Sequence, residues 1–308
     1  MQARFRRLSI DSEIAFKLLK YKLDKRPFPL IAHLLVTNRC NLSCVYCYPQ
    51  VTQRKIPDMA FEQWAAIIDK LYALGTRIFV LLGGEPLLRA DIGKLIEYCK
   101  SKRTIVELIT NGYFVDKKQV ELRDVDSLCF SLDGNEEQND KVRGKGSYRK
   151  VLEAIQAAKA AGIHCRIHAV MTRETVPSIG QLCELAKRVG VTINFTQATI
   201  HTEDPSVRLS DPEMRTFLQT IRSYKKEGYP IANTYEAIRY VEKFPLARYG
   251  IYPSNHVDSQ AKRVVQKCLR PVLTTYIDAD GLMYPCANIW NKGTNSIFDS
   301  SVETAWQK

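Results

Sequence analysis

Between Leu30 and Thr196 short apolar runs alternate with longer amphipathic stretches, and no other pattern in the 308 residues restricts the fold so strongly. The spacing predicts strands at Leu30 to Val36, Arg77 to Leu82, Thr104 to Ile109, Ser127 to Leu132, Ile163 to Met171 and Val191 to Thr196. Between them it predicts helices at Asp58 to Leu74, Asp91 to Lys102, Val115 to Arg123, Ser147 to Ala161 and Ser178 to Arg188. Gly75 and Gly162 are read as helix stops and Ser147 as a cap. Arg77 to Leu82 is almost wholly apolar, as a strand covered on both faces of a parallel sheet must be. Parallel strands joined by helical crossovers wind in one hand and curl. The fold class is therefore α/β, a partial (β/α)6 TIM-like barrel.

Ligands in such folds sit at the C-terminal ends of the strands. Four strand ends here carry polar or glycine-rich segments. The first leads into Thr37 to Pro49, with Cys40, Cys44 and Cys47 separated by three and then two residues. The second runs into Gly83-Gly84-Glu85-Pro86, the third into Thr110-Asn111, the fourth into Ser131 and Asp133. Three closely spaced thiolates suit an iron–sulfur cluster, with one iron left without cysteine. A zinc knuckle with a distant fourth ligand, or reduced core cysteines, are the plainer alternatives. No second zinc-type cysteine pair occurs. Two glycines after a strand let the backbone approach a neighbour closely, although the tetrapeptide alone could be an ordinary turn. The fifth strand alternates, with His164, Arg166 and His168 on one face and Cys165, Ile167 and Ala169 on the other. Cys99, Cys129, Cys165 and Cys183 fall inside helices or strands and are read as packing residues.

Cys-x3-Cys-x2-Cys with Tyr46 before the third cysteine resembles the signature of the radical SAM enzymes. The resemblance implies that Cys40, Cys44 and Cys47 hold a [4Fe–4S] cluster whose open iron is chelated by S-adenosylmethionine. It implies reductive cleavage of that cofactor to a 5′-deoxyadenosyl radical, which abstracts a hydrogen atom from the substrate. Tyr46 would lie against the adenine, and Gly83, Gly84, Glu85 and Pro86 would hold the methionyl ammonium. Thr110, Asn111, Ser131 and Asp133 would face the cofactor. Arg166 and Arg143 are rival partners for its carboxylate, a structural salt bridge being the alternative for each. A reductant such as flavodoxin or ferredoxin is the implied protein partner. An iron–sulfur electron carrier is the rival from another class, but it has no use for the Gly-Gly-Glu-Pro turn.

The tail carries Cys268, then apolar runs around Asp278-Ala279-Asp280-Gly281, then Cys286. The runs read as a β-hairpin. The spacing, with Asn288-Ile289 and Ser301 to Trp306, resembles a shortened SPASM or twitch extension, the auxiliary-cluster module found after some radical SAM barrels. Cys268 and Cys286 are then candidate auxiliary-cluster ligands, two of the four such a site needs. The family's further cysteine group is not present before Lys308. The expected organisation is a basic helix and lead-in at 1–29, the barrel at 30–200, a helical linker at 201–265 with helices from Pro212 to Glu227 and from Thr234 to Phe244, and the incomplete auxiliary domain at 266–308.

The first helix is expected over Ser9 to Lys25, with Ile14, Leu18 and Tyr21 on one stripe and lysines around it. Such a helix packs on the domain behind it or lies on an anionic membrane as a peripheral contact, and coverage of its apolar face decides. The net charge of +12 favours an anionic partner, yet no nucleic-acid-binding module is recognisable and none is expected. Neither a bilayer-spanning apolar run nor a signal-peptide core is present, so a cytoplasmic protein with reduced thiols is expected. Lys25 to Leu30 resembles the run-in to radical SAM barrels that build hopanoid lipids. With no room for a leader-binding domain before Leu30, a non-peptide, anionic or lipid-linked substrate is expected ahead of a peptide.

Overall fold

A computed structural model describes residues 2–47, 54–198, 207–243 and 270–284. Six strands alternate with helices: β1 (Ile31–Leu35), β2 (Ile78–Leu82), β3 (Ile105–Thr110), β4 (Ser127–Ser131), β5 (His164–Met171) and β6 (Thr192–Gln197). Each pairs in parallel with the next. The described α-helices are α1 (Gln2–Asp24), α2 (Phe61–Leu74), α3 (Ile92–Ser101), α4 (Gln119–Leu122), α5 (Glu136–Arg143), α6 (Ser147–Ala160), α7 (Ile179–Val189), α8 (Asp211–Lys226), α9 (Tyr235–Lys243) and the short α10 (Arg270–Leu273). The expected partial (β/α)6 barrel is thus present.

Two strands extend it. β7 (Thr274–Ile277) pairs in parallel with β1, and β8 (Met283–Tyr284) pairs antiparallel with β7, giving the order β6-β5-β4-β3-β2-β1-β7-β8. The hairpin around Asp278 to Gly281 forms, with Gly281 at φ 80°. Rather than standing apart, however, it zips onto the free edge of β1. Arg54 holds it there, bonding Asp278 at 2.9 Å and Asp280 at 3.2 Å. Cys268, Cys286, Asn288 and Ser301 to Trp306 lie outside the described residues.

Strand period decides what faces where. Along β5, Cys165, Ile167, Ala169 and Met171 are buried against the helices, while Arg166, His168 and Val170 are partly exposed toward the lumen. Leu34, Phe79, Leu81, Leu108, Phe130 and Phe195 pack with Trp64, Ile68, Leu95, Ile155 and Leu182 into one continuous core. Each fully buried side chain of this kind contributes roughly 1.5–3 kcal/mol by area transfer. Opposite that core the lumen is polar. Arg166 pairs with Glu107 on β3, and Ser127 donates to the same carboxylate. His168 sits between Asn194 and Thr196 of β6, at 3.3 and 3.1 Å.

Several boundaries moved for physical reasons. α1 begins at Gln2 and not Ser9, since nothing in Gln2 to Leu8 breaks a helix. Ser147 is the first residue of α6, not its cap; Gly146, at φ 84°, precedes it without a side-chain cap. The Ser147 hydroxyl is instead engaged with Asn139 and Asp140. A 3-10 turn at Asp116–Lys118 shortens the expected helix there to α4. α5 was not expected at all. Its sequence, Glu136 to Arg143, is too polar to show an apolar stripe, but Asn135 caps it by accepting from the Gln138 N–H at 2.9 Å.

Candidate active site at the C-terminal rim of the barrel

The cysteine loop leaves β1 under tight control. Asp58 accepts from the Thr37 hydroxyl at 2.6 Å, the Asn38 N–H at 2.8 Å and Arg39 Nε at 3.1 Å. Buried Arg89 donates to the carbonyls of Val36 and Met59 and is held by Asp91. These contacts satisfy the backbone where β1 ends, so the loop departs in a fixed direction.

Gly83-Gly84-Glu85-Pro86 packs directly on that loop. The Gly84 N–H donates to Thr37 O and the Glu85 N–H to Arg39 O, both at 2.8 Å. A Cβ on Gly84 would stand 2.1 Å from Arg39 O and 3.2 Å from Cys40 Cβ. Gly83 adopts φ 140°, and its Cβ would lie 2.5 Å from Thr37 O. The close approach these glycines permit is therefore to the cysteine loop itself. Glu85 differs from the expectation that it meets an ammonium. It is 1% exposed, and its carboxylate accepts from Leu87 N, Thr110 Oγ1 and Asn111 N at 3.1, 2.9 and 2.8 Å. Burial pushes it up to about 7, against the pull of those three donors. Glu85 is a knot tying β2 to β3, and the partly exposed part of the turn is Gly83-Gly84. Asn111 completes the tie by donating from Nδ2 to Asn41 Oδ1 at 2.8 Å.

On the other side of the cysteines lies a buried ion pair. Arg143, at the end of α5, donates to Asp133 from Nε at 2.6 Å and Nη2 at 3.1 Å. Asp133, fully buried, also accepts from the Val170 N–H at 2.8 Å and from the Tyr46 hydroxyl. Asp133 holds the Arg143 guanidinium well above its ordinary range, against the desolvation that would lower it. From there Arg143 reaches Cys44 Sγ at 3.9 Å, and its guanidinium lies 5.4 Å from the Tyr46 ring centroid. The Val45 N–H donates to Val142 O at 3.1 Å, clamping loop to helix. Burial raises the Cys44 thiol, while Arg143 opposes the rise by favouring the thiolate. Tyr46 is buried with Val142, Ala198 and Val207, in the place of a packing aromatic rather than on the open rim.

The expected site residues thus separate. Cys40, Cys44, Cys47, Gly83 to Pro86, Thr110, Asn111, Asp133 and Arg143 form one connected group at the rim, with Tyr46 buried behind it and bonded to Asp133. Ser131 is partly exposed at the end of β4 on that side. Arg166 lies lower, on β5, committed to Glu107. Of the two rival arginines only Arg143 adjoins the cysteines. Asp58, Arg89, Asn41 and Asn139 escaped sequence reading because each acts through tertiary contacts with no local spacing.

Cys40, Cys44 and Cys47 form no disulfide and are partly exposed, whereas Cys99, Cys129, Cys165 and Cys183 are buried. Burial lifts Cys129 and Cys183 to about 12 and Cys165 to about 11, so these remain thiols. Among the described residues no three His, Cys, Asp or Glu side chains close around a single metal ion.

A model of the Radical SAM superfamily matches residues 34–186. The chain belongs to the radical SAM superfamily. It is 28% identical over 226 residues to the Fe-coproporphyrin III synthase of Methanosarcina barkeri, covering 69% of this chain and 56% of that protein. It is 32% identical over 167 residues to the mycofactocin maturase MftC of Mycolicibacterium smegmatis, covering 53% of this chain and 43% of that protein. The chain therefore spans about half the length of these two relatives. The crystal structure of Streptococcus suis SuiB bound to S-adenosylmethionine superposes with a TM-score of 0.73 at 18% identity, covering 94% of this chain and 68% of that one. That likeness is one of fold. The superfamily's cofactors are a [4Fe–4S] cluster and S-adenosylmethionine. The donor set fits the cluster: three soft, uncrosslinked thiols share one loop at the C-terminal rim, with a cation beside one of them. Among the described residues no helix is long and apolar enough to cross a membrane.

Proposed function

We propose that this chain is a radical SAM enzyme in which Cys40, Cys44 and Cys47 hold the cluster and Gly83-Gly84 borders the bound S-adenosylmethionine. When bound, the reduced cluster supplies the electron that cleaves S-adenosylmethionine to a 5′-deoxyadenosyl radical for hydrogen abstraction. The observation carrying this reading is the backbone lock of the cysteine loop onto Gly83 to Glu85, two segments far apart in sequence. An electron carrier needs only the cysteines.

The chain's own residues hold, orient and exclude water. Arg143 favours the thiolate form of Cys44, and Asp133 fixes Arg143. Glu85 and Asn111 keep the rim of β2 and β3 on the loop. Beneath the rim, the lumen offers Ser131, His168, Asn194 and Thr196 as hydrogen-bonding groups. Burial holds His168 neutral, down to about 4, with nearby Arg166 adding to the shift. It therefore donates or accepts as an imidazole. Arg166 is already neutralised by Glu107, so these described lumen residues offer a substrate dipoles rather than a spare cation.

That lining suits a small polar substrate held by hydrogen bonds, and the similarity to a protein named Fe-coproporphyrin III synthase supports the non-peptide part of this reading. The maturase similarity favours a second reading, in which the substrate is a peptide. One assay separates them. The reconstituted, reduced protein is given S-adenosylmethionine and either the small-molecule or the peptide fraction of a deuterium-labelled lysate. Deuterium in 5′-deoxyadenosine with the small-molecule fraction is expected; transfer only with peptides supports the second reading. No 5′-deoxyadenosine under any condition would sink the enzyme assignment.

A further inference from the structure

Helix α1 turns one face to the barrel and another away from it. Ile10 is 4% exposed, and Ile14, Leu18 and Tyr21 are half-buried. Glu13 bonds Arg77 Nε at 2.8 Å, and Arg103 reaches the Ser9 hydroxyl at 3.5 Å. Arg77 and Arg103 stand just before β2 and β3. The helix thus closes the N-terminal end of the barrel, and the expected inner stripe is accounted for.

The opposite stripe is bare. Phe16, Leu19 and Leu23, at helical spacing, are 67%, 56% and 79% exposed. Only three other large apolar side chains among the described residues are exposed, and they are scattered at Val45, Val120 and Tyr235. Leaving three large apolar groups on one stripe in water is unfavourable, and such a patch marks a contact surface. Around and beyond it stand exposed Lys20, Lys22, Lys25 and Arg26.

We propose that α1 lies in the headgroup region of an anionic lipid bilayer, with Phe16, Leu19 and Leu23 inserted and the basic residues on the headgroups. Charge complementarity selects this occupant. A second copy of the chain would bring Lys20, Lys22 and Lys25 against their own kind, which is repulsive. A bilayer supplies apolar cover and negative charge together, and an interfacial helix needs both. The orientation follows from the fold. Cysteines leave the opposite end of β1, about 17 Å away at roughly 3.3 Å per residue. The membrane-bound molecule therefore turns its active-site rim toward the aqueous side. This surface is independent of the substrate reading above.

The test is sedimentation of the intact chain with phosphatidylcholine vesicles, with and without phosphatidylglycerol. Binding should be at least tenfold tighter with the anionic lipid and should weaken at 0.5 M salt, at roughly fivefold per basic residue engaged. Phe16→Ser/Leu19→Ser/Leu23→Ser should lose about tenfold or more while its thermal unfolding midpoint stays near that of the parent. Lys20→Gln/Lys22→Gln/Lys25→Gln, which leaves the apolar stripe intact, should lose the preference for anionic vesicles. Failure of the parent chain to bind anionic vesicles at low salt would overturn the proposal. So would undiminished binding by both variants, or a dimer in solution that only the serine variant abolishes.

Discussion

Replacing Arg143 with methionine probes the buried pair that braces the cysteine loop. The substitution keeps much of the side-chain volume but leaves Asp133, fully buried, with only the Tyr46 hydroxyl and the Val170 N–H as donors. Removing one partner of such a pair costs about 3–5 kcal/mol, because the remaining charge is stranded. That is a large share of the roughly 5–15 kcal/mol by which a domain is stable. Asp133→Asn strands the guanidinium instead and should cost a similar amount. The double variant carries no charge, and Asn still offers an oxygen to Val170, so it should recover about 2 kcal/mol or more relative to the sum. Chemical denaturation of the cluster-free chain measures all four corners. A second readout separates bracing from local chemistry: Arg143→Met should lower iron retained after reconstitution, because the Cys44 thiolate loses its cation. Arg166→Met, which breaks a comparable pair with Glu107 lower in the lumen, should not. Additive effects within about 0.5 kcal/mol, or equal iron loss in both arginine variants, would refute the reasoning.

Other outcomes follow from the same geometry. Replacing Cys40, Cys44 and Cys47 together with alanine should abolish release of 5′-deoxyadenosine while the far-ultraviolet circular dichroism is preserved; product from that variant would remove the ligand assignment. Gly84→Ala must displace the backbone of Arg39, an obstacle that cannot rotate away, so it should cost about 3 kcal/mol or more and lower iron content too. A melt unchanged from the parent would show the loop to be loosely seated. Glu85 and His168 should give opposing pH dependences. Raised to about 7, Glu85 withdraws stability as pH climbs from about 4.5 to 7. Lowered to about 4, His168 withdraws stability as pH falls from about 6.5 to 4. Each is worth about 3 kcal/mol at 1.36 kcal/mol per unit, so the parent profile should be nearly flat there. Glu85→Gln should then gain stability with rising pH and His168→Gln lose it; parallel profiles would contradict this.

The strand–helix alternation was legible because period-2 and period-3.6 patterns report burial directly. The rim was legible too, since Cys40 to Cys47 and Gly83 to Pro86 are local motifs. What stayed hidden was how the motifs are fastened. α5 carries Arg143 yet shows no apolar stripe, and its cap, Asn135, gives no periodic signal. Glu85 read as a ligand-facing carboxylate because its motif is local, whereas its three donors come from Leu87, Thr110 and Asn111. Asp58 looked like a helix start and proved to be the anchor of Thr37, Asn38 and Arg39. The tail hairpin was recognisable from its turn, but its partner, β1, was not, because pairing across most of the chain leaves no mark on either segment.

That pairing bears on how the protein is made. β1, the strand that launches the cysteine loop, has β2 on one side and β7 on the other, with Ile31 opposite Thr274. On a ribosome adding about 5–20 residues each second, β7 appears roughly ten to fifty seconds after β1. Throughout that interval β1 is an open edge, offering unpaired N–H and C=O groups to any strand it meets. The Asp58, Arg89 and Gly84 contacts that shape the loop can already form, since all lie in the first third of the chain. Biosynthesis can therefore shape the start of the cysteine loop while the strand beneath it is still incomplete, and the hairpin of β7 and β8 is what seals that edge.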